Sequence, residues 1–168
     1  AGIAPLLGSI SDLVFDDLDG DGVQDPGEPG VPGVVVMLLD GNGVMIAQDE
    51  TDALGNYLFD ELPAGDYKVK FPTSFMDGNI SYIVTTPNQG SSDAIDSDAV
   101  VMDATMSMTE VYTLAAGEDN PTVDAGYIVS DIAGCTDPCA SNYDETADGN
   151  DGSVGTQGPA GADGAPGA

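Results

Sequence analysis

Val34-Val35-Val36-Met37-Leu38-Leu39, closed at once by Asp40-Gly41-Asn42-Gly43, decides the fold class. The apolar run opens with β-branched residues, is too short for a helix, and ends in the Asp/Gly/Asn chemistry of a tight turn. It reads as a central strand entering a hairpin, with residues 44–48 as its partner. Tyr67-Lys68-Val69-Lys70-Phe71 alternates strictly, placing Tyr67, Val69 and Phe71 on one face and both lysines outward, the pattern of a half-buried strand. Further strands are expected at 9–15, 56–59, 82–86, 108–114 and 122–129. No window of a dozen residues escapes interruption by Gly, Pro or a β-branched residue. The chain is therefore all-β, and short strands set apart by turn signals point to a β-sandwich.

The chain has 168 residues and 16.9 kDa, enough for one domain with a small appendage. Asp plus Glu number 30 against 2 Lys plus Arg, a formal net charge of -28. Nucleic acid and anionic lipid headgroups both require Lys and Arg, so neither is a partner, and cations are what such a surface attracts. No stretch approaches the roughly 20 apolar residues of a membrane span, so membrane insertion is not expected; a secreted form would already have lost its signal. The sequence has no His and no Trp, and its only basic side chains are Lys68 and Lys70. A Ser-His-Asp or Cys-His site cannot be assembled from it, and the reading is that it is not an enzyme. Hydrophobic residues make up 41 % and fall in blocks, which argues for a folded domain over a solvated acidic tail. The acids are 24 Asp and 6 Glu, a bias toward turns, caps and oxygen-ligand loops.

Four segments follow from the composition. Residues 1–7 form an apolar leader in which Ile3, Leu6 and Leu7 either cover the domain's own sheet edge or add as a strand to a neighbouring subunit. Residues 8–130 are the sandwich. Residues 131–153 are a Cys- and Asp-rich satellite, poor in large apolar side chains, whose order would rest on a cross-link or metal. Residues 154–168 are a collagen-like tail, within a run where glycine recurs at every third position from Gly149 through Gly167. Only glycine fits the axis of a triple helix, so the period implies trimerisation if the tract is long enough, and a flexible small-residue tail otherwise.

The sharpest chemical signal is Asp17-Leu18-Asp19-Gly20-Asp21-Gly22-Val23-Gln24-Asp25-Pro26-Gly27-Glu28. It satisfies the twelve-residue calcium-loop pattern in full. A hard cation of this size takes six to eight oxygens, and alternate side chains converge on one point only where a glycine permits the turn. Asp17, Asp19, Asp21 and Glu28 are the expected direct ligands, with Val23 offering its carbonyl and Asp25 acting through water. Pro26, Pro29 and Pro32 deny an exiting helix, so the loop lies between strands and should stabilise the fold and not act as a sensor.

A second cluster, Asp93, Asp96 and Asp98, with Asp103 and Asp124 as distant contributors, reads either as a shared cation site or as a solvated loop. A third lies in the satellite, where Asp137, Asn142, Asp144, Asp148 and Asp151 supply oxygens beside Cys135 and Cys139. Those two cysteines close a small disulfide ring in an oxidising compartment or stand as free thiols; with two sulfurs and no histidine, zinc is not expected. An isopeptide bond from Lys68 or Lys70 is also disfavoured, because it needs a buried lysine.

Gly8-Ser9-Ile10-Ser11-Asp12 leading into Phe15, then residues 19–31, resemble the B-repeat domain of the serine-aspartate-repeat adhesins of bacterial surfaces, a CnaB-type fold. So do residues 51–59, 62–67, 93–98 and Val123-Asp124-Ala125-Gly126-Tyr127. The resemblance implies a calcium-binding, prealbumin-like or Ig-like β-sandwich serving as a rigid spacer in secreted or wall-attached proteins, with residues 17–28 as its principal metal loop and no catalysis. Gly134-Cys135-Thr136-Asp137-Pro138, followed by Asn142-Tyr143 and Asp151-Gly152-Ser153, resembles a short acidic module of bacterial surface proteins, in which a cysteine usually stands where this chain has Val154. The functional expectation is an extracellular, calcium-stabilised structural protein that associates with itself as subunit or spacer of a surface filament, stalk or matrix. The alternative is an adhesin module that binds a host or matrix protein or glycan through its loops.

Overall fold

The computed structural model describes residues 2–130. Within them the chain forms β1 (Gly8–Asp16), β2 (Val35–Asp40), β3 (Met45–Glu50), β4 (Asn56–Leu62), β5 (Gly65–Pro72), β6 (Ser74–Asp77), β7 (Ile80–Val84), β8 (Val100–Val101), β9 (Met106–Met108), β10 (Tyr112–Leu114), β11 (Asp119–Asn120) and β12 (Ala125–Val129), with no helix among the described residues. One sheet runs in the order β11-β1-β12-β7-β6, with β4 also against β1. The other runs β3-β2-β5-β9-β8, with β10 also against β5.

The hairpin expected at residues 34–48 is present as β2 and β3 in antiparallel register. Its turn is fixed by Asp40, whose Oδ1 accepts the backbone N–H of Asn42 and of Val44, both at 2.9 Å, while Gly43 takes φ 84°. β2 lies between β3 and β5, so both its edges are hydrogen-bonded; Val36 and Leu38 face the core, while Val35 is exposed and Met37 half-buried. On β5 the alternation holds: Tyr67, Val69 and Phe71 are buried and Lys68 and Lys70 only half-buried. The core joins both sheets, with Ile10, Val14 and Tyr57 from one meeting Val36, Leu38, Val69 and Phe71 from the other.

The continuous strand expected at 108–114 is instead β9 and β10. Met108 pairs with Lys70 and Tyr112 with Tyr67, so three residues on one side oppose two on the other, a bulge. Thr109 causes it: Val69 N donates to the Thr109 hydroxyl at 3.0 Å, and Thr109 N donates back to the Val69 carbonyl at 2.9 Å, replacing regular ladder bonds.

β1 changes neighbours along its length. On one side it pairs antiparallel with β4; on the other it runs parallel, first to β11 at Ser9 and Ile10, then to β12 from Val14 to Asp16. Between those two parallel pairings, residues 11–13 of β1 run beside residues 121–124, one residue more than they can match. This irregularity positions a carboxylate cluster described below.

Contacts divide the chain into two compact units. The first comprises Ala1–Phe75 and Tyr82–Ile128 and contains the core. In the second, the described residues are Met76–Ser81, Val129 and Ser130, and Ser130 donates to the Ser81 carbonyl through both its N–H, at 2.8 Å, and its hydroxyl, at 3.1 Å.

Candidate metal centres

The loop at residues 17–28 begins where β1 ends, and it is wound around Asp17. That residue is 2 % exposed. Its Oδ1 accepts Gly20 N–H at 2.8 Å and Asp21 N–H at 3.2 Å; its Oδ2 accepts Gly22 N–H at 2.9 Å and the Thr85 hydroxyl. Its own N–H donates to the Tyr127 carbonyl at 2.8 Å, tying the loop to β12. The result is that carboxylate oxygens of Asp17, Asp19 and Asp21 lie within 4.8 Å of one another. Gly22 is held at φ 83°, where a Cβ would stand 2.3 Å from the Thr86 carbonyl oxygen, so only glycine serves.

Glu28 closes the loop from the other end. Its Oε1 accepts Leu18 N–H at 2.7 Å and its Oε2 accepts Asp25 N–H at 2.9 Å. It is thus joined to the loop backbone and not to the cluster of Asp17, Asp19 and Asp21, and Asp25 likewise stands outside that cluster. Val23 donates its N–H to Asp21 Oδ1 at 2.9 Å. Asp16, which the sequence reading did not single out, has a buried Oδ1 without a hydrogen bond, and its carboxyl is pushed up by burial and then by the charges of Glu28 and Asp17. All-oxygen, all-anionic donors in a loop with an obligatory glycine fit a hard divalent cation.

The second cluster forms in part. Residues 92–98 pass beside Val123 and Asp124: Asp98 N–H donates to the Asp124 carbonyl at 2.9 Å and Asp124 N–H returns to Asp98 Oδ2 at 3.1 Å. Asp93 lies at the rim, accepting the Thr122 hydroxyl at 3.1 Å. Asp96 is 9 % exposed, with a buried Oδ1 lacking a hydrogen bond. Asp103 is not brought to them. It sits in the turn between β8 and β9, where its Oδ1 accepts Thr105 N–H at 2.8 Å, the Thr105 hydroxyl at 2.7 Å and Met106 N–H at 3.1 Å. These bonds, the Thr105 hydroxyl foremost, hold its carboxyl below the usual range.

Sequence reasoning missed three members of this region. Asp12 is half-buried beside Asp124, and the two carboxyls face each other; burial pushes both up. Asp12 is opposite Tyr57 across the β1–β4 ladder, and the Tyr57 hydroxyl donates to the Val123 carbonyl at 2.6 Å. Tyr112 shares a hydrogen bond with Asp98, whose carboxyl burial raises to about 7. A signal for Asp12 was present: Ile10 and Val14 are fully buried, and a charged residue midway between them has the phase of the core face.

Asp137, Asn142, Asp144, Asp148, Asp151, Cys135, Cys139 and the collagen-like tail lie outside the described residues. In the leader, residues 2–7 form no strand; Ile3, Leu6 and Leu7 are 96 %, 68 % and 45 % exposed, with Leu6 packed over Gly117.

Two sheets sharing one core, with an acidic loop between strands, define an all-β sandwich domain. The SdrD B-like domain model matches residues 8–127, and the chain belongs to that family. Serine-aspartate repeat-containing protein C of Staphylococcus aureus strain N315 is 38 % identical over 119 residues, which are 71 % of this chain and 11 % of that protein. The protein of the same name from strain Newman matches to the same extent. The chain thus spans about a tenth of the length of these relatives. Among solved structures, the minor pilin GBS52 of Streptococcus agalactiae aligns over 76 % of this chain and 47 % of its own, at 17 % identity and a TM-score of 0.42. The RrgB pilus protein of Streptococcus pneumoniae aligns over 75 % of this chain and 26 % of its own, at 13 % identity and a TM-score of 0.40.

Proposed function

We propose that this chain is an extracellular structural module, a β-sandwich stabilised by calcium at residues 17–28, which serves as subunit or spacer in a bacterial surface filament, stalk or matrix. The observation that supports it most directly is the convergence of Asp17, Asp19 and Asp21 within a B-like domain of a serine-aspartate-repeat family. In a chain of net charge -28, three carboxylates held together by backbone hydrogen bonds repel one another, and a bound divalent cation turns that repulsion into a cross-link between β1, the loop and β12. The role is mechanical. A domain whose loop stiffens in extracellular calcium holds its neighbours at a fixed distance, and the exposed Ile3, Leu6 and Leu7 are the apolar groups through which copies would associate.

Sedimentation velocity of the 168-residue chain in millimolar calcium and then in chelator tests both parts. The expected result is a compact species in calcium that expands in chelator, with larger species in calcium that disappear when Ile3, Leu6 and Leu7 are replaced by Ser. Identical compactness in the two buffers overturns the calcium reading, and a monomer in both overturns self-association.

A further inference from the structure

We propose that the outer face of the β3-β2-β5-β9-β8 sheet, centred on Lys68 and Lys70, docks an acidic surface of a second copy of this chain, and that the contact repeats head to tail. It rests on the self-association proposed for this chain but assigns it to residues other than the leader's. Lys68 and Lys70 are the only cationic side chains in the sequence, against 30 acids, and they stand two apart on one face of β5. Both are half-buried, and neither makes an ion pair with any described residue. The acids nearest in register are engaged elsewhere. Asp66, two residues before Lys68 on the same face, accepts the Thr113 hydroxyl at 2.8 Å; Asp103, whose carboxyl feels the charge of Lys70, is bound to Thr105 and Met106.

The surroundings of the lysines are apolar. Residues paired directly across neighbouring strands share a face, so the register lines up Met37, Lys70, Met108 and Val100 in one row, with Leu39 opposite Lys68 in the next. Met37, Met108 and Val100 are only half-buried. Leu39 is 6 % exposed yet is not part of the core that the two sheets share, so this face has apolar packing of its own. What covers such a face must bring both apolar groups and carboxylates. A purely apolar partner would bury two ammonium groups without a counter-charge, which is strongly unfavourable. A polyanion such as nucleic acid would be repelled by the rest of a surface at net charge -28. A second copy supplies both kinds of group: it carries 30 acids, and on β4 it exposes Leu58 with Asp60 two residues further along the outward phase. Copies repel one another at long range, but the Debye length at physiological salt is about 8 Å, so local charge decides which faces meet. The lysine face is where carboxylate does not oppose carboxylate. Because it differs from the acidic surface it meets, the contact is heterologous: each added copy still offers its own lysine face, and the assembly grows.

The test treats the 168-residue chain, half of it isotopically heavy, with a water-soluble carbodiimide in millimolar calcium; the reagent joins a lysine amine to a touching carboxyl with loss of water. With only two lysines in the chain, each lysine cross-link names its donor. The expected products are a ladder of dimer, trimer and higher species in which Lys68 or Lys70 of one isotope is joined to an Asp or Glu of the other. In sedimentation velocity, Lys68→Gln with Lys70→Gln should lose the assemblies, and Lys68→Arg with Lys70→Arg should keep them. Lys68→Glu with Lys70→Glu should be monomeric alone and, added in equal amount to the parent, should shorten the parent's assemblies, because it accepts a lysine face and cannot offer one. If no mixed-isotope peptide contains either lysine and the Gln variant assembles like the parent, the lysine face is not an interface, while self-association through the leader stands. A parent chain that is monomeric throughout overturns both. If the Glu variant leaves the parent's assemblies unchanged, the head-to-tail contact is overturned.

Discussion

Val23 and Asp96 face each other in an antiparallel β-bridge that straps the loop at residues 17–28 to the loop at residues 92–98. Gln24 N–H donates to the Ile95 carbonyl at 2.6 Å and Ser97 N–H to the Gly22 carbonyl at 3.1 Å, so the strap continues on both sides of the bridge. The two acidic clusters read from the sequence as candidate cation sites are therefore joined through backbone. Order that an ion imposed on Gly22, Val23 and Gln24 would pass through this strap to the segment that carries Asp98.

Coupling of that kind is reciprocal. Removing the first site with Asp19→Ala and Asp21→Ala should weaken calcium at the second by about fivefold, or about 1 kcal/mol, and Asp12→Asn should weaken the first by the same factor. Isothermal titration calorimetry of the three proteins checks both directions. Equal affinities in all of them would show that the strap transmits nothing.

Thr85 sets the orientation of Asp17. Its hydroxyl donates to Asp17 Oδ2, and both residues are buried, so Thr85→Val leaves a buried carboxylate with one donor fewer while preserving shape. The expected cost is about 1–3 kcal/mol in urea denaturation, with Thr85→Ser recovering most of it through the retained hydroxyl. A Val variant as stable as the parent would show that Gly22 N–H alone satisfies Oδ2.

How much of this was readable in advance depends on whether the cause was local. The β2–β3 hairpin was legible because Asp40-Gly41-Asn42-Gly43 carries its own turn chemistry, and the convergence of Asp17, Asp19 and Asp21 because they lie on alternate positions of one short segment. β11 was not legible: Asp119 and Asn120 have no strand propensity, and they pair only because β1 runs beside them and Ser9 donates its hydroxyl to Asp119 at 2.7 Å. The break between β9 and β10 needed a Thr109 hydroxyl to find Val69, a contact that no window of sequence contains. Asp12 and Asp124 are separated by most of the domain, so their meeting is a product of topology. What sequence did hold was half of the clue, a charge at a core-facing position of β1.

Gly20 and Gly22 both take positive φ, 75° and 83°, but their surroundings differ. An added Cβ at Gly20 would be 3.9 Å from Ile128 Cγ2, whereas at Gly22 it would lie 2.3 Å from the Thr86 carbonyl oxygen and 2.8 Å from Gln89 Cγ. Gly20→Ala should cost only the left-handed strain, about 1–2 kcal/mol. Gly22→Ala should cost about 3 kcal/mol or more, because backbone must move as well. Measured in chelator by urea denaturation, the two should differ although both substitutions add one methyl. Equal losses would mean that Thr86 yields without strain.

The buried carboxyls give stability an unusual pH dependence, and a calcium ion bound among them would compete with protons. Burial raises Asp98 to about 7 and pushes the Asp12–Asp124 pair up as well, against an ordinary value of 3.8. A carboxyl that is harder to ionise when folded stabilises the fold while protonated: its contribution is complete below about pH 3.8 and disappears as pH climbs through its folded value. In chelator, the melting temperature should therefore fall between about pH 6 and about pH 8, a range in which ordinary carboxylates no longer titrate. In millimolar calcium the ion takes the place of the protons, so the same interval should be nearly flat. Asp98→Asn removes one of the raised carboxyls and should make the chelator profile shallower, with the remaining slope coming from the Asp12–Asp124 pair, while Asp103→Asn, whose carboxyl lies in the separate turn before β9, should leave it unchanged. A chelator profile that is already flat in the parent chain would mean that these carboxyls ionise freely and that the pocket is open to water.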